Sequence, residues 1–305
     1  MREINLFQLV LEVDDELILN GIQPFQRPFH ANLNIIKRLG LNSIDILNNP
    51  ISVEVNKIYS ELYRPTDLHM PPMHIGAFMF RDVFFSVRIP VAYGRVEFNP
   101  INLLVDASEK QKEWIFSNKQ TGLTFLDQFI DLEDFVYGFD DVSKQESLNE
   151  KTLVWWLKAK QQLEAAAAII LGSFDKDAIV QNCCIAVELL LKGVLIQNGI
   201  TEEELSNRKK YSHNLEKLVI KSTDFLSNID KNTILFVIKT FPDYVKNRYE
   251  ANKLSRSELG TILMYAQYVA GEVLRQFSDR NCRLSFIAEN NDWSVTQRTF
   301  PKKRN

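Results

Sequence analysis

Short runs of β-branched and aromatic residues, divided by turn residues, characterise residues 1 to about 105. The runs read INLFQLVLEV, ISVEVNKIY, IGAFMF, VFFSVRIPV and GRVEF, and several alternate apolar with polar positions, as β-strands do. Only Arg81 and Asp82 separate the third run from the fourth, a length that suits a β-hairpin even without the usual Asn-Gly or Asp-Gly pair. The pattern predicts a strand-rich α+β domain over residues 1–140.

Between residues 107 and 137 the hydrophobic period becomes helical. The stretch 127–141 also carries six acids and no base, namely Asp127, Asp131, Glu133, Asp134, Asp140 and Asp141. Clustered carboxylates can bind a divalent cation, but the ligand spacing and turn glycine of a calcium loop are missing. We therefore expect a solvated acidic face that leads into a polar linker at residues 140–151, where we place the domain boundary.

From residue 150 onward nearly every apolar stretch has a helical period, which predicts an all-α bundle of four or five helices over residues 150–282. The first helix ends at Gly172 and Ser173. The second, DAIVQNCCIAVELLLKGVLIQNG, is apolar nearly all round and is therefore expected at the centre. A third helix begins near Ser212, a good N-cap residue. A fourth covers about residues 232–240, and the last follows SRSELGTILMYAQYVAGEVLRQF.

Composition and charge narrow the classes of function. The chain has 305 residues, of which 45% are hydrophobic and 25% charged, with a formal net charge of -3. These values describe an ordinary globular protein without a general basic surface, so a polyanion could bind only at a local patch. Residues 275–305 hold seven bases and three acids. We predict a basic C-terminal tail at 283–305 that is a solvated end or, alternatively, a polyanion contact.

The cysteines and the N-terminal stretch indicate a cytoplasmic protein. Cys183, Cys184 and Cys282 form neither a disulfide framework nor a metal-binding pattern. The first 21 residues lack a long apolar run and contain acids at positions 14 to 16, so they predict neither a signal peptide nor a membrane span. We expect buried thiols in a reducing compartment and no membrane contact.

Three short motifs occur in order along the second half of the chain. They are a Glu and a Lys four residues apart, a His and a Leu two residues apart, and an Arg-Tyr pair before the last helix: Glu188 and Lys192, His213 and Leu215, and Arg248 and Tyr249. With the helix order around them, these motifs resemble the HEPN superfamily of small helical bundles. The resemblance covers about residues 150–280 and leaves the N-terminal half unassigned.

The resemblance implies a ligand-binding site formed by Glu188, Lys192, His213, Arg248 and Tyr249. It also implies a homodimer that binds RNA or a nucleotide, within a bacterial stress or defence system as for many relatives. Structural roles for the same residues stay open. The Glu–Lys pair has the spacing of a helix-stabilising ion pair, and a histidine in the first turn of a helix, kept neutral by the dipole, can be a cap as well as a base.

Nuclease members of the HEPN group use an Arg followed, after four to six residues, by a His near the start of the last long helix. Counting from Arg248, that position falls on Lys253, Leu254 and Ser255, so the expected imidazole is missing. Arg208 and His213 have the spacing elsewhere, in a loop. We therefore expect a binding or regulatory protein without catalysis. The alternatives are a metal-independent ribonuclease that uses Arg208 and His213 at a dimer interface, and a module that binds a nucleotide or a nucleotidyltransferase.

No metal or cofactor is expected. His69 and His74 lie five residues apart around two prolines, but a zinc site would need further ligands that the neighbouring sequence does not supply. A phosphate-binding glycine-rich loop, a Ser-His-Asp order and a dinucleotide fingerprint are also absent from the sequence.

Overall fold

The computed structural model describes residues 5–41, 49–94, 96–97, 99–172, 176–207, 210–243 and 254–301. The chain divides into two compact units, Met1–Pro71 and Pro72–Asn305. The linker predicted at 140–151 therefore lies inside the second unit. There the helices before and after it share one hydrophobic core that includes Phe135 and Trp156, which is why the compact units do not separate at this point.

The described part of the first unit is helical, and the two strands predicted in it are wrong. Its helices are α1 (Leu6–Leu19), α2 (Arg27–Arg38), α3 (Pro50–Leu62) and the short α4 (Pro65–Leu68). The run INLFQLVLEV lies largely in α1 because Val10, Val13 and Leu17 are buried on one helical face. The run ISVEVNKIY lies in α3, which starts with an Asn cap and a proline at its first position. The helix start signals and the helical spacing of the buried residues outweigh the preference of β-branched residues for strands.

A buried polar group joins the helices of the first unit. The hydroxyl of Tyr59 donates to Asp14 Oδ1 at 2.9 Å, and the hydroxyl of Tyr63 donates to the other carboxylate oxygen. Arg27 Nη1 in turn donates to the Tyr63 hydroxyl at 2.9 Å. Burial, followed by the bond to Asp14, raises the pKa of Tyr59. The group has satisfied partners on three helices, so it is part of the packing of this unit.

The second unit begins with the predicted hairpin. Strands β1 (His74–Phe80) and β2 (Val83–Ile89) pair antiparallel, with His74 opposite Ile89 and Phe80 opposite Val83. The two-residue turn is the predicted one. GRVEF forms no strand in its described residues, and its Arg95 and Phe98 lie outside them. The N-terminal half thus combines helices with a small two-stranded sheet.

Ten helices follow in the described part of the second unit: α5 (Glu109–Ser117), α6 (Lys119–Val142), α7 (Glu150–Gly172), α8 (Ala178–Gln197), α9 (Glu202–Ser206), α10 (Leu215–Ser222), α11 (Lys231–Lys239), α12 (Arg256–Leu274), α13 (Cys282–Glu289) and α14 (Trp293–Thr296). The bundle predicted for the C-terminal half is confirmed in α7, α8, α10, α11 and α12. The start of the third predicted helix moves, because Asn214 is its N-cap in place of Ser212. The last helix ends at Leu274, before the predicted Phe277.

Helix α8 is the centre of the bundle, as its apolar composition predicts. It packs against α7, α10 and α12. Among the described residues it is the one helix long and apolar enough to cross a membrane, and 72% of its most apolar 18-residue window is buried within the protein. A buried core helix has the same composition as a membrane span, and this degree of burial is that of a core helix.

The acidic stretch of α6 is not a solvated face, and the described part of the predicted tail is not a solvated end. Asp127, Asp131 and Asp134 are buried, and their partners are arginines of the C-terminal segment. Asp131 binds Arg275 and Arg298, whereas Asp127 binds Arg283. The carboxylates of α6 and the arginines of the C-terminal segment neutralise each other, so both sets of side chains can be buried.

Candidate functional site

The structure brings together three of the residues predicted to bind a ligand. Glu188 and Lys192 lie on α8, and His213 lies just before α10. Arg208, Arg248 and Tyr249 lie outside the described residues. The described site is therefore a cluster of Glu188, Lys192 and His213, which we call the His213 cluster.

Glu188 and Lys192 form an ion pair on the most apolar helix of the protein. Lys192 Nζ lies 2.6 Å from Glu188 Oε1, and the two side chains are only 12% and 9% exposed. The i,i+4 spacing predicted this contact, but its burial was not predicted. Removing two charges from water costs several kcal/mol per ion before their attraction offsets it. The pair therefore contributes less to stability than apolar side chains of the same volume would.

Glu188 also holds His213. Its second oxygen, Oε2, lies 3.1 Å from His213 Nδ1. Because an ionised carboxylate only accepts hydrogen bonds, Nδ1 is the donor in this contact. The imidazole precedes the N-cap Asn214, so it is not in the first helical turn as predicted. Its side chain is 52% exposed, which leaves the oriented ring accessible to a ligand.

A cleft of about 480 Å³ opens beside His213. Its wall includes the beginning of α10, from Asn214 to Glu216, and the end of α11 with Lys239. Pro242 and Asp243 also line it. Binding pockets for small molecules commonly measure about 300–1,000 Å³. The cleft thus has the size of a ligand site and a lining of both charge signs.

The cysteines next to this site are not nucleophiles. Cys183 and Cys184 are buried and free, as predicted. Burial, followed by the negative charges of Glu188 and Asp243, raises the pKa of Cys184 to about 12. A thiol reacts as its thiolate, so Cys184 is inert at neutral pH.

A second cluster of the same residue types lies under the hairpin and was missed from the sequence. His74 Nδ1 is 3.1 Å from Glu164 Oε1, which is also 2.7 Å from Lys160 Nζ. Unlike His213, the His74 ring is completely buried, and it packs edge-on against Phe135. Lys160 and Glu164 repeat the four-residue spacing of the His213 cluster. That spacing was a usable signal, but the histidine comes from 90 residues away.

Burial lowers the pKa of His74, although the bond to Glu164 acts in the opposite direction. In the unfolded chain this histidine therefore takes up a proton near pH 6.5, whereas in the folded protein it stays neutral to a lower pH. We expect the free energy of unfolding to fall as the pH drops below 6.5, by up to about 1.4 kcal/mol per pH unit from this group. Urea denaturation between pH 5 and 8 measures it. His74→Gln should flatten the curve, and an unchanged slope in this variant would contradict the assignment.

The metal site considered for His69 and His74 has no support among the described residues. No group of three or more His, Cys, Asp or Glu side chains there could hold a metal ion. His74 is directed to Glu164, and His69 lies in the other compact unit.

Comparison with known proteins agrees with the resemblance read from the sequence. A family model described as the HEPN domain matches residues 152–276, whereas no family model matches the N-terminal half. No match was found among curated proteins or among solved structures. The matched region runs from the first turn of α7 to just beyond α12 and contains the His213 cluster. Residues 152–276 therefore form a HEPN domain.

Proposed function

We propose that the protein is a binding or regulatory module whose HEPN domain takes a phosphate-bearing ligand, RNA or a free nucleotide, in the cleft beside His213. The observation that carries this proposal is the bond from the buried Glu188 to the half-exposed His213. A carboxylate held on a core helix by Lys192 fixes the imidazole at the edge of a ligand-sized cleft. Preorganised polar groups of this kind are typical of binding sites.

The lining of the cleft suits both parts of a nucleotide. The beginning of α10 contributes the positive end of a helix dipole, which favours a phosphate. Lys239 adds positive charge on the same cleft. Glu216 and Asp243 also line it, and carboxylates accept hydrogen bonds from the exocyclic amino groups of bases. A ligand with a phosphate and a base fits this mixture better than bare polyphosphate.

Binding without cleavage is supported by the residues near the last long helix. In the HEPN nucleases that this region resembles, a histidine would occupy one of positions 253 to 255, where this chain has Lys253, Leu254 and Ser255. Leu254 and Ser255 are described, and Ser255 caps α12 through Glu258. A serine in a capping box stabilises a helix start, which is a structural role.

Replacing His213 by alanine is expected to abolish ligand-induced stabilisation while leaving the fold intact, because the side chain is half exposed. Wild-type protein at a ligand concentration a hundred times Kd should gain about 2.7 kcal/mol, and the variant should gain close to none. Thermal unfolding with adenosine monophosphate, a short oligoribonucleotide or inorganic phosphate measures this. The three arms distinguish a free nucleotide, RNA and a bare anion.

His69→Ala provides the matched control, since it makes the same substitution at an exposed position of the other unit. It should respond as the wild type does. If no ligand stabilises the wild-type protein, or if both histidine variants respond equally, the cleft is not the site.

Metal-independent ribonuclease activity is the second candidate, and the Glu188–His213 bond favours it. A carboxylate that fixes the proton on Nδ1 leaves Nε2 able to accept one, which is the arrangement of a general base. The second residue of this candidate, Arg208, lies outside the described residues. Labelled RNA incubated with the protein and EDTA decides between the candidates. RNA left intact by the wild type supports a binding module, whereas cleavage that His213→Ala abolishes establishes the nuclease.

We also propose that the HEPN domain forms a homodimer and acts in the cytoplasm. Val154 and Leu157 on α7 are 44% and 41% exposed, so one face of this helix presents apolar surface that a second copy could cover. The three free cysteines suit a reducing compartment. A role in bacterial stress or defence is part of the same proposal and rests on the HEPN resemblance alone.

A further inference from the structure

Cationic and aromatic side chains meet at the turn of the hairpin, on a surface that the proposed function does not use. Five residues form it, and we call it the tip surface: Phe80, Arg81, Phe84, Trp114 and Arg256. They come from the hairpin, from α5 and from the start of α12.

The first half of the tip surface is built on an exposed tryptophan. The guanidinium of Arg81 lies 4.3 Å from the centre of the Trp114 ring, and Phe80 meets the same ring edge-on at 4.9 Å. Trp114 remains 49% exposed. Folding thus leaves a large aromatic ring half exposed and holds a cation over one of its faces.

The second half concentrates positive charge on one ring. The half-exposed Arg256 lies 5.1 Å from the centre of Phe84. The buried Lys176 lies 5.8 Å from the same ring and donates to the carbonyl of Ile170 at 2.7 Å. Burial, followed by the charge of Arg256, lowers the pKa of Lys176. Asp82 is the nearby acid, and it meets Arg256 mainly through its carbonyl, since its carboxylate stays 3.9 Å away. Two exposed cations, Arg81 and Arg256, therefore flank the aromatic rings of this surface.

The backbone conformation at the turn of the hairpin is a further sign of a binding role. Arg81 has φ of 59°, a region that costs non-glycine residues about 1–2 kcal/mol. Glycine would adopt it freely, and a two-residue hairpin turn commonly has one. The chain instead has an arginine there, whose guanidinium is stacked on Trp114. A strained position that keeps a large cation is a reason to look for a ligand.

We propose that the tip surface binds single-stranded nucleic acid. Unpaired bases stack on aromatic rings and on guanidinium planes, and the phosphates bind the flanking cations. Arg81 and Trp114 supply the stacking platform, while Arg256 supplies charge beside it. A duplex hides its base faces and would gain only the charge contacts. An acidic peptide would use the cations but would gain little from the exposed indole. This surface is separate from the His213 cleft, and the inference does not depend on the function proposed for that cleft.

Arg81→Gly tests the proposal with little risk to folding, because glycine suits the turn. We expect the full-length variant to fold at least as stably as the wild type and to bind a fluorescent single-stranded oligonucleotide about tenfold more weakly. Fluorescence anisotropy with RNA and DNA oligomers measures the affinity. The dependence of log affinity on log salt should become shallower by about 0.7, the share of one phosphate contact on a single strand.

Lys144→Ala is the matched control, since it also removes one positive charge from an exposed side chain of the same unit, and it should bind as the wild type does. Trp114→Ala should weaken binding as much as Arg81→Gly, and it serves as the test if the glycine variant proves less stable. His213→Ala should retain the tip contact, which distinguishes failure of this proposal from failure of the cleft. Absence of binding by the wild type, equal binding by Arg81→Gly and Lys144→Ala, or displacement by oligoglutamate as efficiently as by oligonucleotide would overturn the proposal.

Discussion

Replacing Asp131 by alanine is expected to lower the free energy of unfolding by about 3–5 kcal/mol, the usual cost of removing one partner of a buried ion pair. Asp131 is completely buried. Its Oδ1 accepts from Arg275 at 2.5 Å and from Arg298 at 2.6 Å, and its Oδ2 accepts from Arg298 at 2.9 Å. The variant would leave both guanidinium groups short of counter-charge. Urea denaturation of wild-type and variant protein gives the difference.

Asp140→Ala is the control on the same helix. Asp140 binds Lys144 at the surface, where the two side chains are 37% and 66% exposed, and we expect its loss to leave the urea midpoint essentially unchanged. Asp131→Asn separates charge from shape, because it keeps the volume and one acceptor. It should lose most of what Asp131→Ala loses. If Asp131→Ala proves as stable as Asp140→Ala, the buried network is not a major source of stability.

The same network shows that the HEPN domain is not self-contained in this chain. Asp127, Asp131 and Asp134 precede the matched region 152–276, and Arg283 and Arg298 follow it. These ion pairs thereby join α6 to the last described segment of the second unit. The residues outside the matched region are therefore part of the structural support of this HEPN domain.

The helices of the second half could be predicted because their burial is periodic along the sequence. Helix α12 illustrates this, since it starts at the Ser255 capping box and is buried along most of its length. The strands predicted in the first unit failed for the converse reason. Helix α1 contains β-branched and aromatic residues, but its buried positions Val10, Val13 and Leu17 recur at helical spacing. The spacing of the buried positions was the better predictor of secondary structure, and residue composition was the weaker one.

The prediction of a solvated acidic face on α6 was wrong because it counted the acidic residues without considering their spacing along the helix. Asp127, Asp131 and Asp134 are spaced four and three residues apart, so they share one face of the helix. Glu133 and Asp140 lie off that face. A partly buried carboxylate such as Glu133, whose pKa burial raises to about 7, also belongs to a packed helix and not to a solvated one. The arginines that pair with the buried face are more than 140 residues away, and local sequence carries no signal for them.

In the candidate site, too, one contact could be predicted from the sequence and another could not. The contact of Glu188 with Lys192 follows from helix geometry alone. The contact of Glu188 with His213 joins residues 25 positions apart through a turn, where Ser212 has φ of 39°. Such a turn cannot be derived from hydrophobic spacing. The HEPN resemblance named both residues as ligand-binding, but their direct bond is a finding of the structure.

Replacing Trp156 by alanine should cost about 3–5 kcal/mol, the range for removing a large aromatic ring from a packed core. Trp156 is completely buried in the HEPN domain, and its Nε1 donates to the carbonyl of Leu190 at 3.1 Å. Its ring also meets Phe277 at 5.0 Å. Thermal or urea unfolding measures the loss. The neighbouring Trp155 is only partly buried, so Trp155→Ala should cost less than half as much.

Gly193 provides the decisive test of this packing. A Cβ at position 193 would lie 2.3 Å from Trp156 Nε1, so Gly193→Ala should destabilise the protein even though alanine is favoured over glycine in a helix by about 1 kcal/mol. In the Trp156→Ala background the obstacle is gone, and the same substitution should become neutral or stabilising. A double-mutant cycle measures the coupling between the two positions. Additive effects would show that α7 and α8 do not meet at this contact, since only a tryptophan pressed against a bare backbone makes the cost of one change depend on the other.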